Sequence, residues 1–175
     1  MHFLAPGLTL ILDMKGRASQ LTSFALRPRR SALVTAKIFT QIRQDTEIWR
    51  SEIHGLEHWL RVEENGHLVA DATGADHLVV SYFAYLHDCQ RWNENVDSEH
   101  GPRAANYARL HRDLIDLDDD QFELLARACS GHTHALPDGK AGINKTLAAC
   151  WDGDRLDIDR VGIEIDAKYL FSSFA

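Results

Sequence analysis

Cysteine, positive charge and long apolar runs are scarce in this sequence, and each shortage rules something out. The three cysteines, Cys89, Cys129 and Cys150, are few and odd in number, and none sits in a CxxC pair. That excludes a disulfide framework and fits a reducing compartment, so the expected location is cytoplasmic. No apolar run reaches the roughly 20 residues that a membrane span requires. Lys and Arg number 19 against 26 Asp and Glu, a formal net charge of -7. Such a surface repels phosphate backbones and excludes nucleic-acid binding by bulk charge. A local positive site for a small phosphorylated ligand stays open. Strand-like alternation, internal repeats and low-complexity tracts are also missing from Ser31 onward.

What is present is helical periodicity in a chain long enough to bury a core: 175 residues, 45% of them hydrophobic. Residues 1–30 read as a loosely attached N-terminal extension. Its "MHFLAPGLTLILDM" is apolar but has no basic n-region and no clear cleavage site. A short strand-like piece falls at Leu8 to Leu12, and a translation start at Met14 would also account for the segment. Helices are expected over 32–49, 51–70, 75–87, 102–114, 118–130 and 144–156, with a short one over 166–172. Residues 89–99 read as a polar loop. In the third helix Leu78, Val79, Tyr82, Phe83 and Leu86 follow the i, i+3, i+4 rule across a wide face, so it should be central and buried. The expected fold class is all-α, a compact helical bundle over 31–175.

Ten histidines are present. His58, His87, His100, His132 and His134 fall at helix ends or in loops beside acids. Imidazole nitrogen with carboxylate oxygen suits Mn, Fe, Co, Ni or Zn better than Ca. The pair His87-Asp88 stands where an apolar helix meets a polar loop. A histidine there also suits the helix dipole as a plain C-terminal residue, with Asp88 opening a turn. On the dipeptide alone both readings stand.

The wider pattern adds to them. "HWLRV", His58 to Val62, comes one helix before the dyad, and "GDRLD", Gly153 to Asp157, comes much later. A histidine followed by Arg-Val, then His-Asp, then a late Asp-Arg-Leu resembles the HD-domain metal-dependent phosphohydrolase superfamily. The resemblance spans roughly residues 50–160, and "ACWDGDRLDIDRVGI" looks like the end of a bacterial HD-domain group without an assigned substrate. It implies a helical bundle of the HD-domain type. It also implies His58, His87, Asp88 and Asp154 as catalytic metal ligands, holding one or two divalent transition-metal ions. His100 and His132 match the two extra histidines of the two-metal branches. In those branches Asp88 would bridge the ions. Otherwise the two residues are capping or pocket histidines, with His134 a weaker competitor for His132.

Asp152 competes with Asp154, but residues two apart on a helix face nearly opposite ways, so one alone should ligate. His54 lies one helical turn before His58 and is assigned to the pocket, as a substrate-side residue. Arg91 and Arg103 are the candidate phosphate contacts, and Lys140 and Lys145 flank a glycine-bearing loop. Arg61 and Arg155 would brace ligating carboxylates. Cys89 reads as a buried filler, and His2, His67, His77 and His111 as ordinary residues. The expected activity is metal-assisted hydrolysis of a small phosphorylated metabolite or nucleotide, water attacking phosphorus. The rival classes are a two-metal oxygenase of the same superfamily and a non-catalytic binding or regulatory domain.

Overall fold

In the computed structural model, residues 35–137 and 142–172 are described. The expected extension over 1–30, its strand-like piece, Met14, His2 and Lys140 lie outside the described residues. Among those described, six helices and four 3-10 turns carry the fold and no strand occurs, so the chain is all-α. The helices are α1 Ala36–Asp45, α2 Leu56–Thr73, α3 His77–Leu86, α4 His100–Leu110, α5 Asp119–Gly131 and α6 Lys145–Arg155. None is long and apolar enough to cross a membrane.

Local chemistry moves several boundaries away from the periodicity. The expected helix over 32–49 closes at Asp45, because Thr46 turns extended (φ -140°, ψ 161°), and a separate 3-10 turn covers Ile48–Arg50. The next helix starts at Leu56, five residues later than expected. Ser51 Oγ accepts the backbone N–H groups of Ile53 and His54, a local turn that competes with helix. Gly55 then comes so close to the carbonyls of Ser51 and Trp49 that no side chain would fit. His54 therefore precedes α2 and is not on one helical face with His58. α3 begins at His77 under an Asp76 cap that accepts from Leu78 and Val79. α5 begins with a full capping box between Asp118 and Gln121. The helix expected to reach Leu114 stops at Leu110 and is followed by a 3-10 turn, Arg112–Leu114, and the short helix expected over 166–172 is replaced by a 3-10 turn, Ala167–Tyr169.

α3 is the central element, buried at every position from Val79 to Leu86. α2 lies along α3 and α6, α4 along α5, and α3 also meets α5 and α6. Cys89, Cys129 and Cys150 are fully buried, and burial raises all three thiol pKa values.

One close helix approach has a direct bearing on the site. A Cβ at Gly153 would stand 2.8 Å from the Val62 carbonyl oxygen and 2.9 Å from the Gly66 nitrogen. Only a glycine lets α6 come this near α2, and that approach carries Asp154 and Asp157 to His58. Gly153→Ala should push the helices apart at a cost of about 1 to 3 kcal/mol, as overpacking does. Thermal unfolding and metal titration should both register it, with a lower Tm and weaker metal binding. An unchanged Tm would mean that the helix contact is looser than these distances say.

Candidate metal centre

Five buried side chains from four stretches of chain meet at one place. His58 comes from the first turn of α2. His87 and Asp88 follow the last turn of α3, where His87 still has helical dihedrals and Asp88 sits in the turn beyond. This brings two successive side chains to one centre, which a helix interior would not allow. His100 opens α4, and His132 follows α5. They form two groups sharing Asp88: His58, His87 and Asp88, and Asp88, His100 and His132. In each group the ligating atoms lie within 4.8 Å of one another.

Asp88 divides its two oxygens between the groups. Oδ2 lies 3.8 Å from His58 Nε2 and 3.8 Å from His87 Nε2. Oδ1 lies 2.9 Å from His100 Nε2 and 3.6 Å from His132 Nε2. Asp154 closes the first group, with Oδ1 3.3 Å from His58 Nε2 and 3.8 Å from His87 Nε2.

All four rings are oriented by their other nitrogen. His58 Nδ1 donates to Asp157 Oδ2 at 2.7 Å, and His87 Nδ1 to the Ala84 carbonyl at 3.0 Å. His132 Nδ1 donates to the Cys129 carbonyl at 2.7 Å, and His100 Nδ1 to the Asp97 carbonyl. With Nδ1 donating, each ring when neutral presents Nε2 inward as a lone pair, the tautomer that metal ligation needs. Within each pair the Nε2 atoms face each other, at 3.1 Å for His58 and His87 and at 2.7 Å for His100 and His132. Two lone pairs at such distances repel, so either one ring of each pair carries a proton there or a metal ion takes its place.

The electrostatics agree. Burial holds His87 neutral, with its pKa lowered to about 3. Burial also opposes charge on His58, but hydrogen bonds with Asp154 and Asp157 outweigh it and raise the pKa. His132 is raised likewise: burial resists, and Asp88 and Asp154 prevail. Asp88 stays ionised against burial because His87, His100, His132 and His54 surround it. Asp154 is lowered against burial by His58, His87 and His132. In the free protein the neighbouring carboxylates favour a proton on His58 and another on His132. The donor set fits a divalent transition metal in their place.

The other sequence candidates separate clearly. His54 Nδ1 donates to Asp88 Oδ2 at 3.0 Å, and its Nε2 faces outward, 3.9 Å from Glu94 Oε2. Arg91 stands at the edge of the second group, with Nη1 3.7 Å from Asp88 Oδ1 and 3.4 Å from the His100 ring nitrogens. Arg103 turns away toward the loop over 89–99. It donates to the Gln90 carbonyl and Asp97 Oδ2, and its guanidinium stacks on Trp92. Asp152 points out of the centre. Its oxygens accept the N–H groups of Phe171 and Ser172 at 2.7 and 2.8 Å, which fastens the C-terminal segment. Arg155 also serves that segment, donating to the carbonyls of Tyr169 and Ala135 and not to a ligating carboxylate. His134 donates to the Ser98 carbonyl at 3.1 Å, away from the centre.

Two residues of the centre were not singled out from sequence. Asp157 orients His58 and is itself held by Arg61 Nε at 2.6 Å. Arg160 ties the lead-in to α2, donating to the carbonyls of Ile53 and Asp157 at 3.0 and 2.9 Å. Asp157 lies three residues after Asp154, a same-face spacing that would have signalled it. Compared with protein-family models, curated proteins and solved structures, the chain matches none.

Proposed function

We propose that this protein is a metal-dependent phosphohydrolase of the HD-domain type, with a two-ion centre bridged by Asp88. The observation that supports it best is the double arrangement around Asp88: two pairs of inward Nε2 lone pairs, one on each carboxylate oxygen. His58, His87 and Asp154 would hold one ion, and His100 and His132 the other. The bound ions would supply Lewis acidity toward a phosphoryl oxygen and lower the pKa of a water molecule.

The chain's own residues do the rest. Arg91, nine-tenths covered and beside the second group, offers a guanidinium to the phosphate. His54, with its Nδ1–H fixed on Asp88, presents the Nε2 lone pair toward Glu94, where it can take a proton from water. Asp157 and the Ala84 carbonyl keep His58 and His87 in their ligating tautomers.

Metal titration of purified protein, with phosphate release measured on a panel of phosphorylated metabolites, tests the reading. Wild-type protein should bind two equivalents and release phosphate only when loaded. His100→Ala should lose one equivalent and keep the other. Unchanged stoichiometry in that variant removes the two-ion centre. Loaded protein that consumes oxygen and releases no phosphate removes the hydrolase in favour of an oxygenase.

A further inference from the structure

The loop over 89–99 carries an exposed tryptophan that the metal centre does not use. Trp92 is 78% exposed, unlike the buried Trp59 and Trp151. An unsupported ring of this size on a mobile side chain would be a poor recognition surface, since binding would have to order it. Trp92 is already ordered. Its backbone N–H donates to Asp97 Oδ2 at 3.0 Å, and the Arg103 guanidinium carbon lies 3.9 Å from its ring centroid. Arg103 is fixed in turn by Gln90 and Asp97. One face of the indole is therefore backed by a cation, and the other is left to solvent.

Its position supplies the second argument. Trp92 lines an open cleft of about 530 Å³ together with Arg91, Glu94, Ile48 and Ser51. Two of those residues touch the centre, Arg91 at Asp88 and Glu94 at His54. Arg91 and Glu94 thus form a wall shared by the cleft and the centre, with the indole on the cleft side. Trp92 is the fourth residue after Asp88, so their Cα atoms are at most about 14 Å apart. A substrate with its phosphate at Arg91 reaches the ring with whatever group it carries beyond its ester link.

Resting on the hydrolase reading above, we propose that Trp92, braced by Arg103, stacks a planar aromatic group of the substrate. The substrate class is then an aromatic-bearing phosphate ester, such as a nucleotide, and not an aliphatic sugar phosphate. Arg103 is a positioning residue in this scheme and contacts no substrate.

Adenosine 5′-monophosphate and ribose 5-phosphate carry the same ester and differ in the aromatic base, so together they test the proposal on the metal-loaded protein. Stacking on an aromatic side chain corresponds to roughly 5- to 150-fold in affinity. Trp92→Ala should raise KM for the nucleotide within that range and leave ribose 5-phosphate unchanged, and Trp92→Phe should restore most of the loss. Adenosine 5′-monophosphate should also quench tryptophan emission in the wild type and in Trp92→Phe differently, the Trp92 component being absent from the latter. Equal KM for the nucleotide in wild type and Trp92→Ala overturns the stack and leaves the hydrolase standing. A protein that cleaves neither ester, yet shows a nucleotide-specific quench lost in Trp92→Ala, loses the hydrolase and keeps the stack. No nucleotide-specific quench in the wild type overturns the stack directly.

Discussion

Asp88→Asn is expected to abolish metal binding on both sides of the centre while leaving a helical protein. The amide has nearly the shape of the carboxylate, so the packing around α3 stays filled. What it loses is the charge that faces His58 and His87 through one oxygen and His100 and His132 through the other. Loss of a supporting contact to a ligand typically weakens metal binding 10- to 100-fold. Loss of a shared ligand should exceed that in both groups at once. Elemental analysis would read the stoichiometry, circular dichroism the helix content. Two equivalents retained at wild-type affinity would remove Asp88 from the bridging position. His100→Ala, by contrast, should affect one group alone, and the pair of variants separates a shared carboxylate from two independent sites.

The second large effect is on stability. The centre gathers residues from His58 to Asp154, so ions in its two groups would together tie α2, α4, α6 and the ends of α3 and α5. An unfolded chain offers no such site. Metal at a thousand times its Kd should therefore add about 4 kcal/mol. For a chain of this length that is roughly 8 to 16 °C in Tm, and a chelator should reverse it.

The shift should also depend on pH, with a definite sign. His58 and His132 have raised pKa values in the free protein, so each holds a proton above the ordinary imidazole value of 6.5. Those protons stabilise the free protein below 6.5, and the contribution is lost as pH rises through the raised values. Metal must displace them, so the metal-induced rise in Tm should grow as pH climbs past 6.5 and then level off. His87 acts the other way. Its pKa is lowered to about 3, so the unfolded chain takes up this proton first, and the free protein loses that contribution as pH falls from 6.5 toward 3. Calorimetry with and without metal at several pH values checks both signs. A metal-induced shift that shrinks above pH 6.5 would contradict the protonation assigned to His58 and His132.

Much of this arrangement was legible in the sequence, and the exceptions have physical reasons. The helical period exposed α3 as central, because eight successive buried residues leave a wide apolar face. The motifs around His58, His87-Asp88 and Asp154 drew attention to side chains that the structure brings together. Periodicity was blind to the lead-in at 51–55, where a serine hydroxyl and a glycine fitted against two carbonyls hold the chain out of the helix. Asp152 and Asp154 were separable by helix geometry only as rivals. Which of them faces His58 depends on how α6 packs, and the N–H groups of Phe171 and Ser172 that claim Asp152 lie 19 and 20 residues away. Arg103 looked like any basic residue beside a histidine. Its partners Gln90, Trp92 and Asp97 become neighbours only when the loop folds back on α4.

The three buried cysteines give the bundle an internal clock. A thiol with its pKa raised by burial has almost no thiolate near neutral pH, and it is the thiolate that reacts. A thiol-reactive dye therefore attacks only during excursions that open the surrounding helices. The positions divide the centre among them: Cys89 follows Asp88, Cys129 supplies the carbonyl that orients His132, and Cys150 lies in α6 one turn before Asp154. Labelling rates at the three sites would then rank how often each wall of the candidate metal centre breathes, with no substrate in hand.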